Sequence, residues 1–124
     1  MLLAAETGAD VIVVELFAMF HDSKRTNEYD DPGHGARAAE FARELRGVRF
    51  ELDDLRFDQL LEACTFHTER RHSSDATIAT CWDADRLDLG RVGIIPREDY
   101  LNTTSAKRMA RELQTRFQRR IIER

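Results

Sequence analysis

The sequence predicts an all-α protein, a bundle of about five to six helices in one domain. Three observations predict it. Apolar residues recur every three or four positions through most of the chain, capping side chains stand ahead of several of those runs, and the one β-branched run continues into residues that lack strand alternation. The 124 residues, 42% of them hydrophobic, are enough for one modest core. There is no internal repeat, low-complexity tract or Pro/Gly-rich linker to mark a second domain.

Asp10 is placed to cap a first clear helix, Val11–Phe20. Val11, Ile12, Val13 and Val14 alone read equally well as a strand. Leu16, Phe17, Ala18 and Met19 extend the run too far without alternation, which favours helix. Glycines and charges over 26–35 read as one long polar loop. Residues 36–45 space Ala, Phe and Leu helically between Arg and Glu, with Gly47 as terminator. The apolar pattern resumes at Phe50 and Leu52, and its helical period is clearest from Leu55 through Phe57, Leu60, Leu61 and Cys64. Ser73, Ser74 or Asp75 can cap a further helix running through Trp82 into Leu87. The last helix is the plainest: Ala106, Met109, Ala110, Leu113, Phe117 and Ile121 form one apolar stripe, with Lys and Arg on the other face.

Composition excludes several function classes. Nineteen Lys+Arg against 23 Asp+Glu give a net charge of -4, which argues against binding a nucleic-acid polymer. Arg116, Arg119, Arg120 and Arg124 make a basic tail, read as a solvated helix face complementing the helix dipole rather than a phosphate-tracking patch. No stretch approaches the roughly 20 apolar residues of a membrane span; the run Val11–Phe20 is short and interrupted by Glu15. Met1 leads into Leu-Leu-Ala-Ala-Glu without a basic start or a long apolar region. A soluble, cytoplasmic protein with no membrane partner is the expectation. Cys64 and Cys81 have no metal-type spacing and read as buried free thiols. Trp82 reads as a core anchor, and His72 as a solvated loop residue. Apolar groups on the two terminal segments are either core or a homodimer contact.

The chemistry lies with histidines and carboxylates. His21 is followed directly by Asp22, His34 sits between Gly33 and Gly35, and His67 follows Cys64-Thr65-Phe66. Asp83, Asp85 and Asp88 end an otherwise apolar helix. A lone histidine in such places is ordinarily a hydrogen-bonded core or loop residue. It is the conjunction that points to a metal. Imidazole nitrogen with carboxylate oxygen suits Mn, Fe, Co, Ni or Zn better than thiolate-preferring metals. Asp83 and Asp85 are two apart and cannot share a helix face, so at most one is a direct ligand.

The ordered series Phe17-Ala-Met-Phe-His21-Asp22-Ser23-Lys24-Arg25, Asp31-Pro-Gly-His34-Gly35, Cys64-Thr-Phe-His67-Thr68 and Cys81-Trp-Asp-Ala-Asp85-Arg86-Leu87 resembles the HD-domain superfamily of metal-dependent phosphohydrolases. An adjacent His-Asp alone is a common dipeptide; the ordered series is far more specific, and it covers most of the chain. The resemblance implies a helical bundle holding one or two divalent ions (Mn, Fe, Co, Ni, Zn or Mg). In it His21, Asp22 and Asp85 are the signature ligands, with Asp85 a better match to the closing aspartate than Asp83. His34 and His67 are the additional histidines of members that bind a second metal, and Asp22 bridges the two ions. Lys24 and Arg25 are then placed to meet phosphate oxygens, and Asp31 to orient His34.

The implied activity is hydrolysis of a small phosphate ester, such as a nucleotide, by a metal-activated water. Asp22, Lys24, Arg25 and His67 are the catalytic candidates. The pattern departs from the family at one point. Members begin with a helix carrying a further histidine ligand, and nothing before His21 is a histidine. Residues 2–8 resemble the tail of that helix, so the chain is expected to lack part or all of it. Two alternatives stay open: an HD-type module that binds metal or nucleotide without turnover, and a helical interaction protein whose polar clusters are structural.

Overall fold

A computed structural model describes residues 2–24, 33–89 and 93–123, with side chains described for 3–24, 33–89 and 93–119. The described residues form six α-helices: α1 (Leu2–Thr7), α2 (Val11–Phe20), α3 (His34–Leu45), α4 (Asp54–Phe66), α5 (Ala76–Asp88) and α6 (Thr104–Glu123). A short 3-10 turn, Glu98–Tyr100, precedes α6. No strand forms among the described residues, and the protein is all-α as the periodicity predicts. No helix among them is long and apolar enough to cross a membrane.

The caps lie where short polar side chains precede apolar runs. Asp10 accepts from the Val13 amide at 3.1 Å and starts α2. Asp53 accepts from Arg56 at the start of α4. Of the three residues able to cap α5, Asp75 does so, taking the Thr77 and Ile78 amides at 2.9 and 3.0 Å. Gly47 adopts φ +81° just beyond α3, a conformation open to glycine at little steric cost.

The β-branched run of α2 is helical because tertiary burial overrides its weak local preference. Val13, Val14, Phe17 and Phe20 are all buried, and α2 packs against α3, α4 and α5 at once. Around it lie Ala38, Ala39 and Ala42 of α3, Phe57, Leu60, Ala63 and Cys64 of α4, and Ile78, Cys81 and Trp82 of α5. Trp82 is the expected anchor: it is 1% exposed, and its indole N–H donates to the Ala63 carbonyl at 3.0 Å. Both cysteines are buried free thiols.

Two expectations need correction. The loop read over 26–35 ends earlier, because His34 and Gly35 already belong to the first turn of α3; residues 25–32 lie outside the described residues. The apolar stripe of α6 is only partly core. Ala106 and Ala110 are buried with Leu3 and Leu101 in a second small cluster, whereas Phe117 is 44% exposed. The helix outruns the body it packs on, so its amphipathic pattern overstates its burial. Arg116 and Arg119 are solvent-exposed, as a solvated face requires.

Candidate metal centre

Three helix ends and one helix flank converge on a single polar cluster. His21 caps the C-terminus of α2 and Asp22 follows it; His34 opens α3; His67 caps the C-terminus of α4; Asp85 lies in the last turn of α5. Their ligand atoms form two groups, His21–Asp22–Asp85 and Asp22–His34–His67, within each of which the atoms lie within 4.8 Å of one another. Asp22 belongs to both.

In the first group His21 Nε2 is 3.1 Å from Asp85 Oδ1 and 3.3 Å from Asp22 Oδ2. The ring is held from behind. Its Nδ1 donates to the Phe17 carbonyl at 2.9 Å, and it stacks on the Phe17 ring at 4.6 Å. A carbonyl only accepts, so the proton belongs on Nδ1 and the neutral ring presents the Nε2 lone pair to the cluster. His67 is built the same way: Nδ1 donates to the Cys64 carbonyl at 2.8 Å. Its Nε2 faces His34 Nε2 at 2.9 Å and Asp22 Oδ1 at 3.6 Å, and His34 Nε2 is 3.2 Å from that same oxygen. His34 and His67 are 2% and 5% exposed, so both nitrogens meet away from water.

The electrostatics follow from this crowding. Burial disfavours the charged His21 ring, but the hydrogen bond and charge of Asp85 together with Asp22 outweigh it and raise its pKa above the ordinary histidine value. Burial likewise penalises the Asp85 carboxylate, and His21, His67 and Arg86 overcome that and hold its pKa below the usual range. Burial lowers the pKa of His67 and favours its neutral, ligand-competent form. Burial pushes the Cys64 thiol up to about 12, so it is no thiolate ligand near neutral pH.

Asp83 and Asp85 divide as helix geometry requires. Asp83 is fully buried on the opposite face and accepts from the amide and side-chain nitrogens of Asn102 and from the amide and hydroxyl of Thr103. It fixes the entry to α6. Arg86 spans from α5 to the segments after α4 and before α6, donating to the carbonyls of Arg70, Arg71 and Tyr100, each at 2.6 Å. His72 is exposed and contacts the Asp99 carbonyl at 3.0 Å, apart from the cluster.

The Lys24 ammonium lies over the Phe41 ring, 4.1 Å from the centroid. A cation–π contact and the short tether after α2 hold it there. Arg25 and Asp31 fall outside the described residues. The cluster opens into a cavity of about 430 Å³ whose wall adds residues that sequence reasoning had not put in the site: Ala18, Thr68, Asp88 and Leu89. Only Asp88 carried a signal, standing one helical turn beyond Asp85.

The donor set fits a divalent cation. Three imidazole nitrogens, those of His21 and His67 with tautomers fixed by backbone carbonyls, and two carboxylates make a mixed N/O set suited to first-row metals, and an Asp22 shared by both groups suits two ions. Comparison of the chain with protein-family models, with curated proteins and with solved structures finds no match.

Proposed function

We propose that this protein is an HD-type metal-dependent phosphohydrolase acting on a small phosphate monoester. The observation that carries the reading is the sharing of Asp22 between two His/Asp triads, in the chain order that the motif series predicts. A divalent ion held by these residues would supply Lewis acidity, lowering the pKa of a water and neutralising phosphoryl charge.

The chain's own residues do the rest. Phe17 and Cys64 carbonyls fix the tautomers of His21 and His67 so that their Nε2 atoms point inward. In the hydrolysis, water oxygen bonds to phosphorus as the ester P–O bond breaks. The alcohol leaves with one proton, and inorganic phosphate carries the rest of the water. Were only the His21 triad to hold an ion, the proton that His34 shares with His67 would be left to pass to the leaving oxygen. Arg86 ties the segments after α4 and before α6 to the turn of α5 that carries Asp85.

The test is stripping and reloading. Chelated protein given Mn, Ni, Co or Mg should take up the metal and release phosphate from monoesters, and Asp22→Ala should do neither. A chain that binds no metal and ignores chelator favours a helical interaction module. One that binds metal without turnover favours a binding module.

A further inference from the structure

Beside the His/Asp cluster, between α2 and α5, lies a second cavity of about 280 Å³. Val14, Phe17, Ala18, Cys81 and Ala84 line it, and His21, Asp85 and Asp88 stand along it as its polar groups. Ala18, His21, Asp85 and Asp88 also line the polar cavity. The two spaces therefore meet at the candidate ligands, one lined largely by charged and polar groups, the other walled by hydrocarbon and a buried thiol that stays protonated.

We propose that the apolar cavity is the subsite for the organic group of the substrate, and that this group is uncharged and apolar. The inference rests on the phosphohydrolase reading and narrows its substrate class. A phosphoryl group seated at His21 and Asp85 has its ester oxygen at the junction of the two cavities. From there the organic group lies against Val14, Phe17 and Ala84. Hydroxyls of a sugar or glycerol turned toward Val14, Phe17 and Ala84, away from the Asp85–Asp88 side, would meet no partner there and lose their hydration. A second phosphate would face the carboxylate of Asp88, which stands outside both ligand groups and repels it. An aryl-alkyl or alkyl group meets neither obstacle and gains the transfer energy of its buried surface.

The experiment compares benzyl phosphate with ethyl phosphate on metal-loaded protein. Both are primary alkyl esters, so the comparison reads pocket filling rather than leaving-group basicity. The expected result is a kcat/KM ratio in favour of benzyl phosphate on the order of ten-fold or more. Ala84→Leu, which fills the cavity, should bring that ratio toward one, and Ala18→Leu, at an exposed helical position that tolerates leucine, gives the same reading if the first variant folds poorly. Independently of turnover, benzylphosphonate should shift the methyl resonances of Val14, Ala18 and Ala84 in Mg-loaded protein, and methylphosphonate should not. Equal turnover of the two esters, or a benzyl preference that survives both variants, overturns the subsite and leaves the hydrolase reading standing. Turnover of neither ester by metal-loaded protein overturns this inference, and release of phosphate from no monoester, nucleotides included, overturns the hydrolase reading with it.

Discussion

His34 and His67 meet Nε2 to Nε2 at 2.9 Å across the junction of α3 and α4. Because the Nδ1 of His67 is committed to the Cys64 carbonyl, its Nε2 accepts in the neutral ring, and the metal-free pair shares one proton supplied from His34. A cation replacing that proton would satisfy both lone pairs at once. His67→Ala removes one of them and leaves all three side chains of the His21–Asp22–Asp85 group in place. Metal content measured by elemental analysis should fall from about two equivalents per chain to about one. Asp22→Ala, which strips a ligand from both triads, should take it toward zero. Equal retention in the two variants would rule out a bridging role for Asp22.

Protons and metal compete for His21 as well. In the metal-free chain its pKa is raised above the ordinary 6.5, by Asp85 and Asp22 against the opposing effect of burial. A raised value means that its contribution to stability is fully present below the unfolded-state pKa and is lost as pH rises through the folded one. Metal binding needs the ring neutral, so metal-dependent stabilisation runs the other way and grows as pH rises. Thermal melts with and without Mn from about pH 5.5 to about pH 8.5 should diverge toward the alkaline end. A metal-induced shift in melting temperature that is flat over that range would refute His21 as a ligand.

Two aspartates two residues apart should fail in opposite ways. Asp83 is fully buried with its oxygens filled by Asn102 and Thr103. Asp83→Ala leaves those donors unpaired and should cost about 3 kcal/mol by denaturant unfolding. Asp85 is part exposed at the cavity. Asp85→Ala should lower metal uptake from about two equivalents to about one, held by Asp22, His34 and His67, yet change metal-free stability by less than about 1 kcal/mol above neutral pH. A metal-free, well-folded Asp83→Ala protein would reverse the assignment.

That pair also shows how much was legible in the sequence. Helical period requires Asp83 and Asp85 to face apart, so a division of labour could be read in advance; their identical chemistry could not say which one turned toward the cluster, and only the motif resemblance singled out Asp85, which lies 3.1 Å from His21. The helices were legible for the same reason: burial on one face imposes a period that survives in the residue order, as in α4 and α5. Lys24 was not legible, because its placement is decided by Phe41, 17 positions along the chain. The α6 stripe misled because amphipathicity records a face that can be covered, whereas coverage depends on how far the neighbouring helices reach. The cavity wall at Ala18 and Thr68 carries no chemical signal at all; only the fold places those residues beside the ligands.

Gly35 is the sharpest case, since the glycines around His34 read as loop punctuation and one of them is a packing device inside a helix. A Cβ built at Gly35 would lie 2.6 Å from the Cys64 carbonyl oxygen and 2.7 Å from that of Thr65. Both atoms are backbone at the end of α4, two or three residues before His67, so no side chain can swing away to make room. Gly35→Ala must therefore push the start of α3 off the end of α4. That is the junction that brings His34 to His67. The expected outcome is a destabilisation of about 1–3 kcal/mol, with loss of the metal equivalent held by Asp22, His34 and His67. The His21–Asp22–Asp85 triad, built from α2 and α5, should keep its ion. Elemental analysis on the folded variant, alongside a denaturant melt, separates the two effects. Full metal content in a Gly35→Ala protein would mean that close approach of α3 to α4 is not what assembles the second triad.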